Sequence, residues 1–360
     1  MHLRRLWLTD FRGYEEADVV FDEGLTAVLG PNGHGKSNLL EAIGYLATLG
    51  SFRGAPTDAL IRVGAERAVV RAEGEREGRS LLLEAELVRG GRNRTQLNRQ
   101  PLRRARDLLG ALRVTVFSPD DLVLLKGSPG DRRAYLDDTL VSLHPRYDQA
   151  RSDLDRVLRQ RGALLKQAGG RLTPEVELTL DVFDAKLTAA GEYLAGARRK
   201  LVEEIGPELQ EAYRSLAGTD SDVSARYEPS WMADGLASAL AASRRDDLRR
   251  GVSTVGPHRD ELDLELDGMP ARTHASQGEQ RCLALALRLA SHAVVTRRTD
   301  TPPVLLLDDV FSELDSGRSA ALLETLPQGQ TVLSTATELP EGAVPGRIIR
   351  VQEGRAAVGG

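Results

Sequence analysis

Only one cysteine, Cys282, stands in the 360 residues, so an intramolecular disulfide is impossible and a cysteine-based metal cluster is ruled out. Aromatic residues are scarce at 4%, which leaves the core to Leu, Val and Ala. No run approaches the roughly 20 apolar residues that would span a bilayer. The opening MHLRRLWLTDFRGY is basic but has no apolar core, so no secretory signal is expected there. Excess positive charge is also lacking. A formal net charge of -5 argues against blanket binding to nucleic acid, although 48 Lys and Arg can still form a local basic patch. The expectation is a soluble cytoplasmic protein with no membrane partner. With 41% apolar and 28% charged residues, the composition is that of a globular chain large enough for one large domain or two ordinary ones.

Strand signals dominate the first part: LRRLWL (3–8), DVVF (18–21), LTAVL (25–29), and runs at 68–72, 81–88 and 112–117. LTAVL is a continuous apolar run of buried-strand length that stops at Gly30. SNLLEAIGYLATLG follows with helical apolar spacing, giving a strand, a glycine-rich loop and a helix. The character changes near Phe117-Ser118-Pro119. From there to about Arg250 the spacing is helical, as in YDQARSDLDRVLRQRGALLKQAGG, with a stop at Gly169-Gly170 and a new start at Thr173-Pro174-Glu175. Two long helices folded back on each other, then shorter ones, are expected in a compact lobe too broken by Gly and Pro for a long coiled coil. Strand signals return in ELDLEL (261–266), VLLLDD (304–309) and TVLST (331–335), around a helix, QRCLALALRLASHAVV, that is apolar nearly all round and so buried. The expected fold class is α/β. A discontinuous head of residues 1–118 and 251–360 is interrupted by a mostly helical second lobe, 119–250.

Three motifs carry chemistry. Gly30-Pro31-Asn32-Gly33-His34-Gly35-Lys36-Ser37 matches G-x-x-x-x-G-K-[ST], and with Asn38 supplies the candidate ATP-contacting loop. Glycines let successive N–H groups point inward at phosphate, and the helix N-terminus adds its positive dipole end. Lys36 reaches the β- and γ-phosphates, and the Ser37 hydroxyl is a candidate Mg²⁺ ligand. Val304–Asp309 is a buried strand ending in two carboxylates. Asp308 is placed to hold Mg²⁺, and Asp309 to polarise an attacking water, which with Lys36 makes the candidate catalytic pair. Alone, such an Asp-Asp is more often a helix cap or a solvated turn; beside a phosphate loop it is the expected partner. Ser276-Gln277-Gly278 opens the buried helix as a second anion site. An isolated Ser there would be an ordinary cap. One nucleotide needs two helix-end sites only if a second subunit closes over it, which would put Ser312-Glu313-Leu314-Asp315 at the interface.

The order of these motifs is similar to that in ABC-type ATPase heads, and the distance from Lys36 to Ser276 resembles the DNA-repair and SMC branch. More closely, the chain resembles the RecF family of bacterial recombination mediators. The resemblance rests on LTDFRGY (8–14), PDDLVLLKGSPGDRRAYLD (119–137), VGPHRDEL (255–262), SQGEQR (276–281) and LLLDDVFSELD (305–315). It implies an ATP- and Mg²⁺-dependent protein of gap repair that dimerises head-to-tail and engages gapped or junction DNA. It also implies work with RecO- and RecR-type partners to load RecA. Arg12 matches the arginine that approaches the phosphates in such heads. Against the broader ABC pattern, Asp309 replaces a Glu, and LSTAT (333–337) puts Thr335 where transporter heads carry a histidine. Both imply slow turnover. The counterpart of the ABC glutamine loop is expected after Phe117.

For DNA, Arg89–Arg106 is the local candidate, with Arg92, Arg94, Arg99, Arg103 and Arg104 at its centre and no acidic residue among its arginines. No aromatic residue interleaves, which favours duplex backbone over stacked single strands. The plainer alternative is a solvated arginine-rich hairpin. His258 and Arg259 are open between lining the site and a structural role. Two rival functions remain at this level: a transport-ATPase subunit, and a platform that binds ATP without hydrolysing it.

Overall fold

The computed structural model describes residues 1–336 and 338–359, so Thr337 of the LSTAT stretch and Gly360 lie outside the described residues. The chain forms two compact units. The head is Met1–Leu122, Glu208–Ser221 and Ser276–Gly360; the lobe is Val123–Pro207 and Asp222–Ala275. In chain order the first part holds β1 (His2–Phe11), β2 (Tyr14–Val20), β3 (Leu25–Leu29), α1 (Lys36–Thr48), α2 (Thr57–Leu60), β4 (Arg67–Arg76), β5 (Arg79–Val88), β6 (Arg94–Leu97), β7 (Gln100–Pro101) and β8 (Val114–Phe117). Next come α3 (Val123–Lys126), α4 (Pro129–Leu143), α5 (Arg146–Ala168), α6 (Pro174–Ala217), β9 (Val223–Arg226), α7 (Leu236–Arg250), β10 (Asp263–Leu266), β11 (Met269–Pro270) and α8 (Ala271–His274). The rest is α9 (Gln277–Thr299), β12 (Val304–Asp308), α10 (Ser316–Thr325), β13 (Thr331–Thr335), β14 (Arg347–Gln352) and β15 (Arg355–Gly359).

The head has two sheets. One is antiparallel in the order β2-β1-β4-β5-β6-β7; the other runs β15-β14-β3-β13-β12-β8, parallel from β14 to β8. Parallel strands are buried on both faces, and every residue of β12 and β13 is buried, the apolar Val304–Leu307 and the hydroxyl-bearing Thr331, Ser334 and Thr335 alike. Helix α1 is part of the shared core: Leu39, Leu40, Ile43 and Leu46 cluster with Leu6 and Val70 of one sheet and with Leu306 and Val332 of the other. A helix covered by sheet residues on both sides has to be largely apolar, and beyond its first turn α1 is, apart from Glu41 and Thr48.

In the lobe, α5 stops at Gly169 in a left-handed conformation, as the Gly-Gly pair implied, and α6 begins at Pro174. Helix α6 then runs on through Gly191, Gly196, Gly206 and Pro207 for 44 residues without a break. Pro207 removes one helical hydrogen bond. On the lobe side of Pro207, Leu201, Val202 and Ile205 are buried, and on the head side Leu209, Tyr213 and Leu216 are. Among the described residues no helix is long and apolar enough to cross a membrane.

The division between units differs from the sequence expectation in three places. The first head segment continues to Leu122, Glu208–Ser221 belongs to the head, and the lobe keeps the chain until Ala275. The run ELDLEL is the source of the last difference. Its strand β10 joins β9 and β11 in a three-stranded antiparallel sheet, with Leu266 opposite Val223, and not a head sheet. Alternating apolar residues announce a strand but do not name its partner.

Candidate functional site

The phosphate loop lies between β3 and α1. Gly30 has φ 159°, and a Cβ there would sit 2.1 Å from the Val351 carbonyl oxygen of β14, so no larger residue fits. Gly35 caps α1 with φ 114° and no side-chain hydrogen bond, and no acidic residue occupies the first turn. The positive end of α1 is therefore left open to an anion. From the other side, the turn between β14 and β15 braces the loop: Glu353 N donates to His34 Nδ1 (3.1 Å) and Gly354 N to the His34 carbonyl (3.2 Å).

Lys36 is buried, and its Nζ donates to the loop's own Pro31 carbonyl (3.0 Å) and Asn32 Oδ1 (3.4 Å). Burial pushes the ammonium pKa down, and the charges of Asp309 and Asp308 pull it back up without touching it. Among the described residues this cation has oxygen contacts but no counter-charge in hydrogen-bonding range, which suits an incoming polyphosphate.

The parallel order β3-β13-β12 sets the ends of three strands side by side. Asp308, at the end of β12, accepts from Ser37 Oγ (2.8 Å) and from Ser334 Oγ of β13 (2.7 Å) on the same oxygen. Burial raises the Asp308 pKa, opposed by those two hydroxyl bonds. Asp309 takes a left-handed backbone (φ 51°), and its N–H reaches both the carbonyl and the hydroxyl of Ser334 at 3.1 Å. Its Oδ1 is buried with no hydrogen-bond partner. Ser334 was missed in the sequence. The available signal was a Ser between Leu333 and Thr335 in a short buried-strand run, TVLST. Thr335 itself is buried in β13.

Ser37 and Asp308 offer only hard oxygen donors, and no cluster of three or more His, Cys, Asp or Glu competes for a metal among the described residues. That donor set fits Mg²⁺, which binds through few protein oxygens and completes its shell with phosphate and water.

The remaining sequence candidates fall elsewhere. Arg12, also left-handed at φ 53°, is bound to the fully buried Glu41 of α1 by two hydrogen bonds of 2.8 and 2.7 Å, and Ser51 Oγ bonds the same carboxylate. Its guanidinium therefore clamps the first sheet to α1. Ser276 caps α9, accepting from Glu279 N (3.3 Å), while the Glu279 carboxylate takes Ser276 N (2.7 Å). Neither Ser276, Gln277 nor Gly278 hydrogen-bonds to the phosphate loop among the described residues. The Asn38 side chain accepts from Arg53 at 3.5 Å. The turn after β8 carries Asp121, which pairs with Arg288 of α9 at 2.6 Å.

In the arginine segment, Arg92, Arg94, Arg99, Arg103 and Arg104 are all exposed along β6, β7 and their flanks. In space the segment is not free of acid: Arg94 lies 3.6 Å from Glu86, and Arg104 pairs with Asp107 at 3.0 Å. Arg99 and Arg103 have no carboxylate partner among the described residues.

Two of the resemblance blocks interlock inside the lobe. Arg132 holds Glu261 through two bonds (2.7 and 2.9 Å), and Arg133 donates to the Asp260 carbonyl (2.6 Å). Asp137 holds the buried Arg198, which also reaches the Pro257 carbonyl (2.8 Å). Asp260 accepts from Tyr227 (2.5 Å) and Trp231 (2.8 Å). His258 and Arg259 both turn to the Ser253 carbonyl, at 3.1 to 3.2 Å.

Residues 2–339 match the family described as the RecF/RecN/SMC N terminal domain. A relative named DNA replication and repair protein RecF, from Kineococcus radiotolerans, is 46% identical over 95% of this chain and 94% of its own. A second of that name, from Streptomyces avermitilis, is 44% identical over 98% and 99%. A solved structure described as the recombination mediator protein RecF-ATPrS in the RecFOR pathway superposes with a TM-score of 0.91 at 27% identity, covering 99% of this chain and 97% of that one. An SMC head domain from Pyrococcus furiosus, at 19% identity and a TM-score of 0.58 over 99% and 95% of the two chains, shares the fold alone. The chain belongs to the RecF family, with a head of the ABC/SMC ATPase fold.

Proposed function

We propose that this chain is an ATP-dependent DNA-binding protein of recombinational gap repair, in which ATP closes a head-to-tail dimer and slow hydrolysis releases it. The observation that carries the reading is the corner where Lys36, Ser37, Asp308 and Asp309 converge. A buried cation with no counter-charge in contact, an uncapped helix N-terminus and a buried carboxylate oxygen without a partner fit a bound nucleotide. Gly30–Asn38 hold the phosphates, with Lys36 on the β- and γ-oxygens. Ser37 and Asp308 would hold Mg²⁺, which would supply positive charge beside the phosphates. Asp309 orients the attacking water through the carboxylate oxygen that no other group occupies.

One corner supplies only half of what the motifs contain. Ser276, Gln277 and Gly278 lie at another helix start, and a two-fold dimer would bring them to the nucleotide held by the partner. The relatives' name and the RecFOR description of the similar structure support gapped DNA and RecO- and RecR-type proteins as partners. The exposed Arg92, Arg94, Arg99, Arg103 and Arg104 are the proposed DNA contacts, reading phosphate and not base. Arg12 acts here by holding Glu41 and α1, and reaches phosphate only if that pair opens.

Light scattering with ATP, with and without gapped duplex, on wild type and Ser276→Arg tests the reading. An ATP-driven dimer that the substitution abolishes supports it. A wild type that stays monomeric with ATP bound and DNA present overturns it, in favour of a nucleotide-binding platform.

A further inference from the structure

Gly278 is the third residue of the Ser276-Gln277-Gly278 motif, and something lies against it. A Cβ built there would meet Arg318 Nη1 at 2.5 Å, Nη2 at 3.0 Å and Cζ at 3.1 Å. Arg318 belongs to α10, three residues after Asp315 of the Ser312–Asp315 block. Asp315 caps that helix, accepting Arg318 N at 2.8 Å, and its other oxygen lies 3.4 Å from Arg318 Nη1. The block after the catalytic carboxylates thus delivers a guanidinium onto the first turn of α9.

That first turn has spare donors. The Ser276 N–H and the Glu279 N–H are used by the capping box, and Gln280 N reaches the Ser276 carbonyl (2.9 Å). The N–H groups of Gln277 and Gly278 take no acceptor among the described residues. Ser276 and Gln277 are exposed, and the Arg318 side chain keeps 35% of its surface. Two N–H groups without an acceptor among the described residues and a partly exposed guanidinium therefore lie together. Their carboxylate neighbours are Glu279, held in the capping box, and Asp315, which caps α10.

We propose that Arg318 is a phosphate-contacting residue in trans: carried beside Gly278, it binds the terminal phosphate of the nucleotide held by the partner's phosphate loop. The proposal rests on the dimer reading above and deepens it. Gly278 is then required for two reasons, since its N–H faces the phosphate and its missing side chain makes room for the guanidinium.

The test uses the full-length protein as Arg318→Lys and Arg318→Met, each checked for an unchanged melting profile. Met preserves the packing over Gly278 and removes the charge; Lys preserves the charge. The expected result is that both bind a fluorescent ATP analogue as monomers like wild type. Met should weaken ATP-driven dimerisation by roughly tenfold or more, the worth of a charged hydrogen bond, with Lys recovering part of it. Equal dimerisation by Met and wild type would overturn the proposal and leave Arg318 as packing. Mixing Arg318→Met with Lys36→Met separates trans from cis. In the mixed dimer one composite site is intact, so ATP hydrolysis returns if Arg318 acts across the interface. It stays absent if Arg318 serves its own subunit's nucleotide, which also overturns the proposal. A wild type that fails to dimerise at all would instead sink the dimer reading, and this inference with it.

Discussion

In the lobe, Arg198 lies buried against Asp137 with two hydrogen bonds of 2.8 Å, and two further donors go to Pro257 and Tyr227. In the head, Lys36 is comparably buried, yet it reaches only a carbonyl and an amide oxygen, and nearby Asp309 keeps a buried oxygen with no partner. Both arrangements come from short, specific sequence blocks. Their difference separates charge that holds a fold together from charge held ready for a ligand. A buried cation matched by a carboxylate is a closed account of donors and acceptors. A buried cation without one costs stability until an anion arrives.

The contrast can be broken most severely at Asp309. Asn tolerates the same left-handed backbone, so Asp309→Asn should leave fold and ATP affinity intact while single-turnover phosphate release falls by roughly 10²- to 10⁴-fold. An unchanged rate would remove Asp309 from the chemistry and make its unpartnered oxygen incidental. The lobe should answer in stability. Asp137→Ala strands the Arg198 charge, and urea unfolding should show a loss of about 3–5 kcal/mol. A loss below ~1 kcal/mol would mean that the lobe pair is no more than a surface pair.

His292 of α9 sharpens the comparison from the head's side. It is buried, its Nδ1 meets Thr115 Oγ1 at 3.0 Å, its Nε2 has no partner, and burial pushes its pKa down to about 4. The folded state keeps this ring neutral where the unfolded chain protonates it below its ordinary pKa of about 6.5. Stability from this group is therefore fully present above about pH 6.5 and is lost as pH falls towards 4, on the order of 3 kcal/mol in all. Chemical unfolding of wild type and His292→Leu across that range should diverge by this slope, and parallel curves would refute it. The smallest effect belongs to exposed pairs. Arg249→Ala, which breaks a 2.7 Å contact with Asp246 between two largely exposed side chains, should shift lobe stability by no more than about 0.5 kcal/mol in the same urea assay.

The nucleotide corner was legible because its chemistry is local. Glycine spacing, a buried strand and a terminal Asp pair each declare themselves within a few residues, and a parallel sheet brings them together. Arg12 was not, because its partner Glu41 lies in another element and nothing near either residue announces the pair. Ser334 went unseen since a hydroxyl in a strand is informative only once its neighbour in the sheet is known. Only the start of the long α6, at Thr173-Pro174-Glu175, was read from the sequence; its run through Pro207 was not, because proline ordinarily breaks a helix. The lobe's interlocked arginines could be read as specific text, but their pairings over 61 and 129 residues could not.

The brace on the phosphate loop has a consequence for how the protein is made. His34 is held by Glu353, 319 residues further along, and Ser37 meets Asp308 across 271. During synthesis the loop therefore leaves the ribosome long before the strands that shape it exist, and the growing chain carries a nucleotide motif with nothing to close it. A nucleotide whose site needs Asp308 and the β14–β15 brace can stabilise only the nearly finished chain, and an arrested or truncated chain forfeits that stabilisation.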